Sequence, residues 1–505
     1  MDISLRWMND YLEPGDVTAE EAERLLTDAG FPIEAVTPLD DGDTLLDVEV
    51  TSNRGDCLSH VGVAREVAAS PRASKVRALR VPRGGRDGAE PIRAGGPVGE
   101  RLTLENATPH VCPRFTAQVI RGVKVGASPD WLVQRLESVG QRSINNVVDI
   151  TNWLTFELGH PSHVFDLAKL AGHKLVVRWA REGETLATLD GERRTLCPKC
   201  LVVADAERAT SLAGVIGGLD SEVTDATVDV VLEVATWDPR TVRDQARRHK
   251  VRTDASHRFE RIVDARMLEW AATRAAALLL EVAGGELCEG MLVEGRGDEP
   301  PTAITLRPER CRRILGAEVG DEQIASYLSA HEINVDRDGG VLRCQPPAFR
   351  PDLTREIDLI EEVARTHGYD AIPIAERLPM VAAHPQEGER AMREIASVLT
   401  GLGYFETVTF SFVRPEEAEL WRDASLKAIA VDDERRGAEP SLRPSALPSL
   451  LRCRKANQDG RVEQPGGVRL FEATAVFAET EQGASKERRT LTLLSDVAGT
   501  GVKRS

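Results

Sequence analysis

Strand-length apolar runs alternate with amphipathic helical stripes from Ile3 to Leu494, and this mixture constrains the fold more than any other feature. Leu46, Val48 and Val50 alternate with polar residues as a half-buried strand does. Further strands are read at Phe115–Ile120, Lys174–Trp179, Leu201–Ala204 and Val230–Val234. Elsewhere the period becomes helical. Ala22, Leu25, Leu26 and Ala29 form one stripe, and helices are predicted over Ser59–Ala69, Pro129–Val139, Val147–Leu158 and Asp264–Ala283. Thr18 and Glu21 are spaced as a capping box before the first stripe, and Gly30 with Pro32 ends it. The fold class is α/β and α+β, and at roughly 150 residues per domain the chain should be multidomain.

Punctuation divides the chain. Residues 1–70 read as a small N-terminal α/β unit, and 71–100, rich in Pro, Gly and Arg without an apolar period, as a linker. A large mixed unit follows over 101–295. Residues 300–377 open with a strand at Ala303–Leu306 and continue through helices Pro308–Leu315 and Asp321–Ala330. They close with strands around Ile333–Val335 and Leu342–Gln345, a plan that suits a winged-helix-like or similar compact module. The last unit, 385–505, begins with a helix at Glu389–Leu402 and an alternating strand at Thr407–Phe412. It ends in strands at Val468–Phe477 and Arg489–Leu494.

Composition narrows the function. With 41% hydrophobic and 29% charged residues the chain can build several cores and is not disordered. Its 64 basic and 81 acidic side chains leave a formal charge of −17, which argues against coating nucleic acid or an anionic membrane through bulk charge. Charges at Asp2, Arg6, Asp10 and Glu13 deny the N-terminus a signal-peptide core. The most apolar helical stretch, Ala275–Ala283, is flanked by Arg274 and broken by Glu281. Eight scattered cysteines do not make a disulfide scaffold. A soluble, reducing, cytoplasmic setting is expected, with no membrane and no DNA partner.

No Walker A loop, GxGxxG, nucleophile elbow or HExxH occurs. Cys197-Pro198-Lys199-Cys200 has the spacing of half a zinc site, but no second Cys/His pair lies near it in sequence, so a turn between strands is expected. Asn145, Asp149 and Asn152 fall on one helix face, either to bind something polar or to meet solvent. The basic run Arg247–Arg261 suits phosphate contacts, or equally a helix laced with ion pairs. Leu212–Gly218 is a glycine-rich turn that allows close approach of a ligand. Glu233 stands in an apolar strand, where a carboxylate is costly unless paired. It is either a ligand-recognising group or an edge-strand acid facing water. Leu353, Ile357, Ile360 and Ala364 make the core stripe of a helix stopped by Gly368. Asp358, Glu361 and Glu362 share one side of it, as Mg²⁺ ligands or as partners of Arg355 and Arg365.

In order along the chain, Thr51–His60, Ser143–Asn152, Gly159–Asp166, Leu212–Gly218, His249–Glu260, Phe349–Pro373 and Leu442–Leu451 together resemble the β subunit of phenylalanyl-tRNA synthetase. The resemblance implies a ligase subunit. An α subunit performs ATP-dependent attachment of phenylalanine to tRNA(Phe), and β contributes a B3/B4-type editing domain that hydrolyses tyrosyl-tRNA(Phe). A B5-type helix-turn-helix-like module and a catalytically silent class II-like domain complete the plan, and Arg469–Glu472 resembles a degenerate ATP-binding strand. By the same resemblance the editing pocket would use Thr151, Pro161, His163, Gly214, Gly217, Glu233, Thr253 and Ala255. Asp352, Asp358, Glu361 and Glu362 would hold a Mg²⁺ shared with α in an α₂β₂ assembly.

Two departures stand out. Asp40–Thr44 passes directly into a strand where many bacterial members carry an oligonucleotide-binding insertion, so one tRNA contact surface is expected to be missing. Such subunits also continue past Ser505 into the rest of the silent domain and an anticodon-binding domain, so the resemblance does not extend to anticodon recognition by these residues. A free-standing deacylase acting on mischarged tRNA, and a non-catalytic RNA- or protein-binding remnant, stay open as alternatives.

Overall fold

Capping chemistry sets the first helix, and it differs from the expected box. The Thr18 hydroxyl accepts the Glu21 amide at the start of helix Ala19–Asp28. The Glu21 carboxylate turns instead to the buried Arg77 guanidinium at 2.9 Å and to the Ser74 amide at 2.7 Å. A charge-assisted bond outweighs a neutral one. Arg77 belongs to residues 71–100, which are ordered by partners distant in sequence. Ala78–Leu79 pairs with Leu12–Glu13, Arg93–Pro97 runs parallel to Glu286–Glu289, and Trp270 Nε1 donates to the Pro82 carbonyl at 3.0 Å.

The computed structural model describes residues 1–296, 301–374, 386–461 and 467–496. The chain divides into two compact units, 1–375 and 376–505. It is a mixed α/β, multidomain protein.

Two sheets organise the first unit. In one, Arg114–Arg121 is paired antiparallel with Val230–Thr236, which pairs in turn with Ser162–Asp166. Glu286–Glu289 and Leu292–Gly295 add to the outer side of Arg114–Arg121. The other sheet orders Ile216–Gly217, Ala209–Leu212, Leu201–Ala204, Lys174–Trp179 and Thr103–Asn106 side by side. Helix Leu268–Ala283 packs on the first sheet and on helix Asn146–Leu158. Its buried Ala271, Ala272, Ala275 and Ala276 allow close approach.

Arg274 on that helix is buried against Glu157 at 2.7 Å, and the Tyr11 hydroxyl donates to the same carboxylate at 2.9 Å. Trp7 Nε1 donates to Tyr11, and the Trp7 ring stacks on His60 at 4.0 Å. The N-terminal segment thus shares one apolar core with helices Asn146–Leu158 and Leu268–Ala283. A second core lies between the two sheets.

On the polar face of helix Asn146–Leu158, Asn145 and Asp149 turn inward while Asn152 is half-buried. Asn145 caps the helix. Buried Asp149 accepts the Ser128 and Ser143 hydroxyls at 2.6 Å each and the Ile144 amide at 2.9 Å.

A third core closes the small module. Strand Val341–Gln345 lies between Ile304–Leu306 and Asn334–Asp338, under helices Pro308–Leu315, Asp321–Ala330 and Glu356–His367. Along the last helix Leu359, Ile360 and Val363 are buried, whereas Ile357, expected in the stripe, is 40% exposed. The stripe is rotated so that Glu362 can enter the interior ion pairs described below.

In the second unit, strand Arg469–Glu479 pairs antiparallel with Ser485–Ser495 and parallel with Phe405–Glu406. The strand expected over Thr407–Phe412 is absent. Thr407 makes one last amide bond to the Phe471 carbonyl, and pairing resumes only at Phe412–Val413. Glu472 is buried and closed off by Arg443 at 3.0 Å and the Thr409 hydroxyl at 2.8 Å. No helix among the described residues is long and apolar enough to cross a membrane.

Candidate active site

A hollow of about 80 Å³ opens between the two sheets of the first unit, where the turn at Gly214 meets strands Ser162–Asp166 and Val230–Thr236. Its lining includes Pro161, His163, Gly214, Gly217, Glu233 and Ala255, six of the eight residues named from the sequence. Glu233 and His163 are direct partners in the antiparallel ladder, so their side chains leave the sheet on the same face.

Glu233 is buried and His163 half-buried with its Nε2 atom enclosed, and both are electrically neutral near pH 7. Removal from water pushes the Glu233 carboxyl up to about 8 and the His163 imidazole down to about 4. The imidazole meets Phe165 edge-on with centroids 4.5 Å apart. Its Nε2 atom and the Ser162 hydroxyl are buried without hydrogen-bond partners, and no bond to the Glu233 carboxyl occurs among the described residues. Two unsatisfied polar atoms beside the Glu233 carboxyl on one hollow are what a ligand would complete.

Thr151 and Thr253 are not in the lining. Thr151 donates to the Val148 carbonyl of its own helix at 2.6 Å. Thr253 donates to the Val215 carbonyl at 2.7 Å and accepts the Ser256 amide, so it ties the glycine-rich turn to helix Asp254–Phe259. That places Thr253 behind the wall.

Two glycines have steric reasons. Gly214 has φ +68°, and a Cβ there would lie 2.8 Å from the Trp237 ring. At Gly217 a Cβ would lie 2.5 Å from His163 Cε1 and 2.8 Å from Nε2. Gly217→Ala is therefore expected to displace the imidazole and fill the hollow. A crystal structure of the variant checks this, and an unmoved His163 with the hollow intact would count against the packing described.

Ser162, Ser211, Trp237 and Phe259 also line the hollow and were not singled out from the sequence. A signal existed for Trp237. Strand alternation carries the Glu233 face through Ala235 to position 237. Phe259 joins it only through tertiary packing, with ring centroids 6.4 Å apart.

The basic segment is partly structural. Arg258 is buried, donates to the Leu58 carbonyl at 3.0 Å and pairs with Asp254. Arg252 and Arg261 both approach His257 Nδ1, at 3.0 and 3.1 Å. Burial, with these cations, pushes that imidazole down to about 4.

Asp352, Asp358, Glu361 and Glu362 line a separate cavity of about 320 Å³, together with Thr51, Asn53 and Arg54. Arg350 binds Asp352 at 2.8 Å and Glu362 at 2.7 Å, and Arg365 also holds Glu362. Asp358 accepts the Arg355 amide at 2.7 Å and pairs with the Arg355 side chain at 2.9 Å. Glu361 is exposed, with no hydrogen-bond partner among the described residues. The four carboxylates are oxygen donors of the kind Mg²⁺ takes, but three are engaged by arginines. No three of them bring their oxygens within 4.8 Å of one another among the described residues, so only Glu361 is an open donor as they stand. The nearby Asp56, Cys57 and Glu66 do cluster, but Arg54 is bound among them and supplies their countercharge.

The family described as B3/4 domain matches residues 111–284, the tRNA synthetase B5 domain 304–369, and the phenylalanyl tRNA synthetase beta chain CLM domain 374–498. The chain is 40% identical over 460 residues to a phenylalanine–tRNA ligase beta subunit of Rhodopirellula baltica, covering 90% of this chain and 66% of that one. It is 41% identical over 466 residues to the subunit of that name from Syntrophotalea carbinolica, with coverage of 89% and 55%. The Moorella thermoacetica subunit is 38% identical over 499 residues, with coverage of 96% and 59%. The chain thus spans between about half and two thirds of the length of these relatives. Three matched families in one order, set on the cores and cavities described above, show that the chain belongs to the phenylalanine–tRNA ligase β-subunit family.

Proposed function

We propose that this chain supplies the editing and scaffolding parts of a phenylalanine–tRNA ligase. In this reading it works with an α subunit that attaches phenylalanine to tRNA(Phe) at the expense of ATP, in the cytoplasm and in an α₂β₂ assembly. Residues 1–70 and the strap at 71–100 flank a B3/B4-type editing domain at 101–295. A B5-type, helix-turn-helix-like module occupies 300–377 and a silent class II-like domain 385–505. Asp352, Asp358, Glu361 and Glu362 hold Mg²⁺, which would add a fixed positive charge where α contributes the remaining ligands.

A synthetic pocket shaped for phenylalanine cannot strongly reject tyrosine, which only adds a hydroxyl. The editing hollow recognises that hydroxyl. A protonated Glu233 both donates and accepts, so it can satisfy a phenol completely. Trp237 and Phe259 flank the ring, and Gly217 and Ala255 leave it room. Water attacks the ester carbonyl, the bond to the ribose oxygen breaks, and that oxygen takes up the proton. Free tyrosine and tRNA(Phe) result. An imidazole held near 4 is a weak base at neutral pH, so His163 positions the water or ribose rather than driving proton removal.

The observation that carries this reading is the pair of orphaned polar atoms, Ser162 Oγ and His163 Nε2, beside the buried Glu233 carboxyl on one hollow. Deacylation of tyrosyl-tRNA(Phe) and phenylalanyl-tRNA(Phe) by the chain co-expressed with α tests it. Loss of a hydrogen bond to the phenol in Glu233→Ala should slow release of tyrosine about 10–100-fold at unchanged circular dichroism. Undiminished release, or an equal loss on both substrates, would remove Glu233 from recognition. Co-elution with α on size exclusion supports the assembly, and separate elution contradicts it.

A further inference from the structure

Two guanidiniums converge on one imidazole beside the wall of the hollow. Arg252 Nη2 and Arg261 Nη1 donate to His257 Nδ1 at 3.0 and 3.1 Å, so the two nitrogens are no further apart than those bonds laid end to end. One ring nitrogen offers one lone pair, which both donors must share. The Arg252 side chain has no other hydrogen bond among the described residues, and Arg261 adds only the His257 carbonyl at 2.7 Å. Arg261 Nε is buried without a partner. Neither cation forms an ion pair among the described residues. The nearby Asp254 is taken by Arg258 at 3.0 Å, and Glu260 faces Arg243 at 3.6 Å. Two like charges are thus held together with unused donors and no countercharge, in a chain whose formal charge is −17.

The same segment forms a wall of the hollow. Ala255 and Phe259, four residues apart on helix Asp254–Phe259, line it, whereas His257 leaves the helix on the other side. Thr253, next to Arg252, is tied to Val215 in the glycine-rich turn. The other side opens on a groove of about 560 Å³ whose walls include Gln141, Arg252 and His257. Asp2 and Asp47 also line it, beside Met1, whose ammonium binds Asp47 at 3.3 Å. The arginine pair therefore stands about one helix width, roughly 10–12 Å, from the hollow.

On the editing reading above, we propose that Arg252 and Arg261 hold a backbone phosphate of the terminal nucleotides of tRNA while the attached tyrosine lies in the hollow. Planar guanidiniums present paired N–H donors that phosphate oxygens accept, and such a contact fixes position without reading sequence. His257 is a positioning residue that keeps the two cations side by side.

Deacylation by the chain co-expressed with α is measured on tyrosyl-tRNA(Phe) and on 3′-tyrosyl-adenosine, which has no phosphate. The double variant Arg252→Gln, Arg261→Gln should raise KM for the tRNA about 10–100-fold, the loss typical of charged hydrogen bonds. The slope of log KM against log salt should fall by about 0.7, the share of one phosphate on a single strand. Arg252→Lys with Arg261→Lys should recover most of that slope, because the charge survives. The loss on tyrosyl-adenosine should be far smaller than on tRNA. Equal losses on the two substrates would overturn the proposal, since the arginines would then act through the wall. So would an unchanged KM and salt slope on tRNA. Arg252→Gln alone, at the exposed member of the pair, gives the same test if circular dichroism shows the double variant unfolded. Failure of the editing reading looks different: Glu233→Ala would then leave cleavage of both substrates undiminished, whatever the arginine variants do.

Discussion

Arg365→Ala should destabilise the unit spanning residues 1–375 by about 3–5 kcal/mol, the typical consequence of removing one partner from a buried ion pair. Arg365 is 8% exposed and joins two carboxylates from distant parts of the chain. It reaches Glu66 at 2.5 Å and Glu362 at 3.0 Å, and approaches His331 Nδ1 at 3.2 Å. Arg54 completes Glu66 at 2.5 Å and Arg350 completes Glu362 at 2.7 Å. Deleting the central guanidinium leaves Glu66 and Glu362 each short of a partner, away from water. The neighbouring cations hold both carboxyls below their ordinary range. Their contribution is therefore present above pH 4.5 and is lost as pH falls below it. Urea unfolding at neutral pH measures the effect. A double variant with Glu66→Gln should recover part of the loss, because it removes one of the stranded charges. A cost under about 1 kcal/mol would mean that water reaches the network.

Glu233→Gln should make the same unit more stable than wild type in alkaline solution, by roughly 3–5 kcal/mol at pH 9. The sign follows from a carboxyl raised from 4.5 to about 8 by burial. Below pH 4.5 the folded and unfolded forms are both protonated and Glu233 imposes no penalty. Between 4.5 and 8 the unfolded chain releases a proton that the folded chain retains, so wild-type stability falls as pH rises. Above 8 the loss is complete. Glutamine has nearly the same shape and does not titrate, so the variant lacks this slope. Denaturation midpoints from pH 4 to 9 should coincide at the acid end and diverge progressively. Parallel profiles would show that Glu233 is ionised, and would undo the account of how the hollow greets a phenol.

The elements were more legible than the contacts between them. Helices Pro308–Leu315 and Asp321–Ala330 and strands Lys174–Trp179 and Leu201–Ala204 lie where periodicity and stop residues put them. Failures came where a distant partner outcompeted a local one. Glu21 left its capping box for Arg77, and Asp149 turned inward to Ser128, 21 residues away, and to Ser143 and the Ile144 amide. Ile357 gave up its place in the core as the helix turned Glu362 inward.

The candidate site divides in the same way. The sequence marks Glu233 as a lone acid in an apolar strand and the glycine-rich turn as a place of close approach. Facing His163 across the ladder, excluding Thr151 from the lining, adding Trp237 and Phe259, and bringing Arg252 and Arg261 to His257 were decided by tertiary structure. Side-chain period and turn chemistry are short-range, so the sequence alone determines elements and marks its unusual residues. Which residues meet depends on how those elements pack, and burial then sets protonation and pairing through the loss of water, which no local pattern encodes.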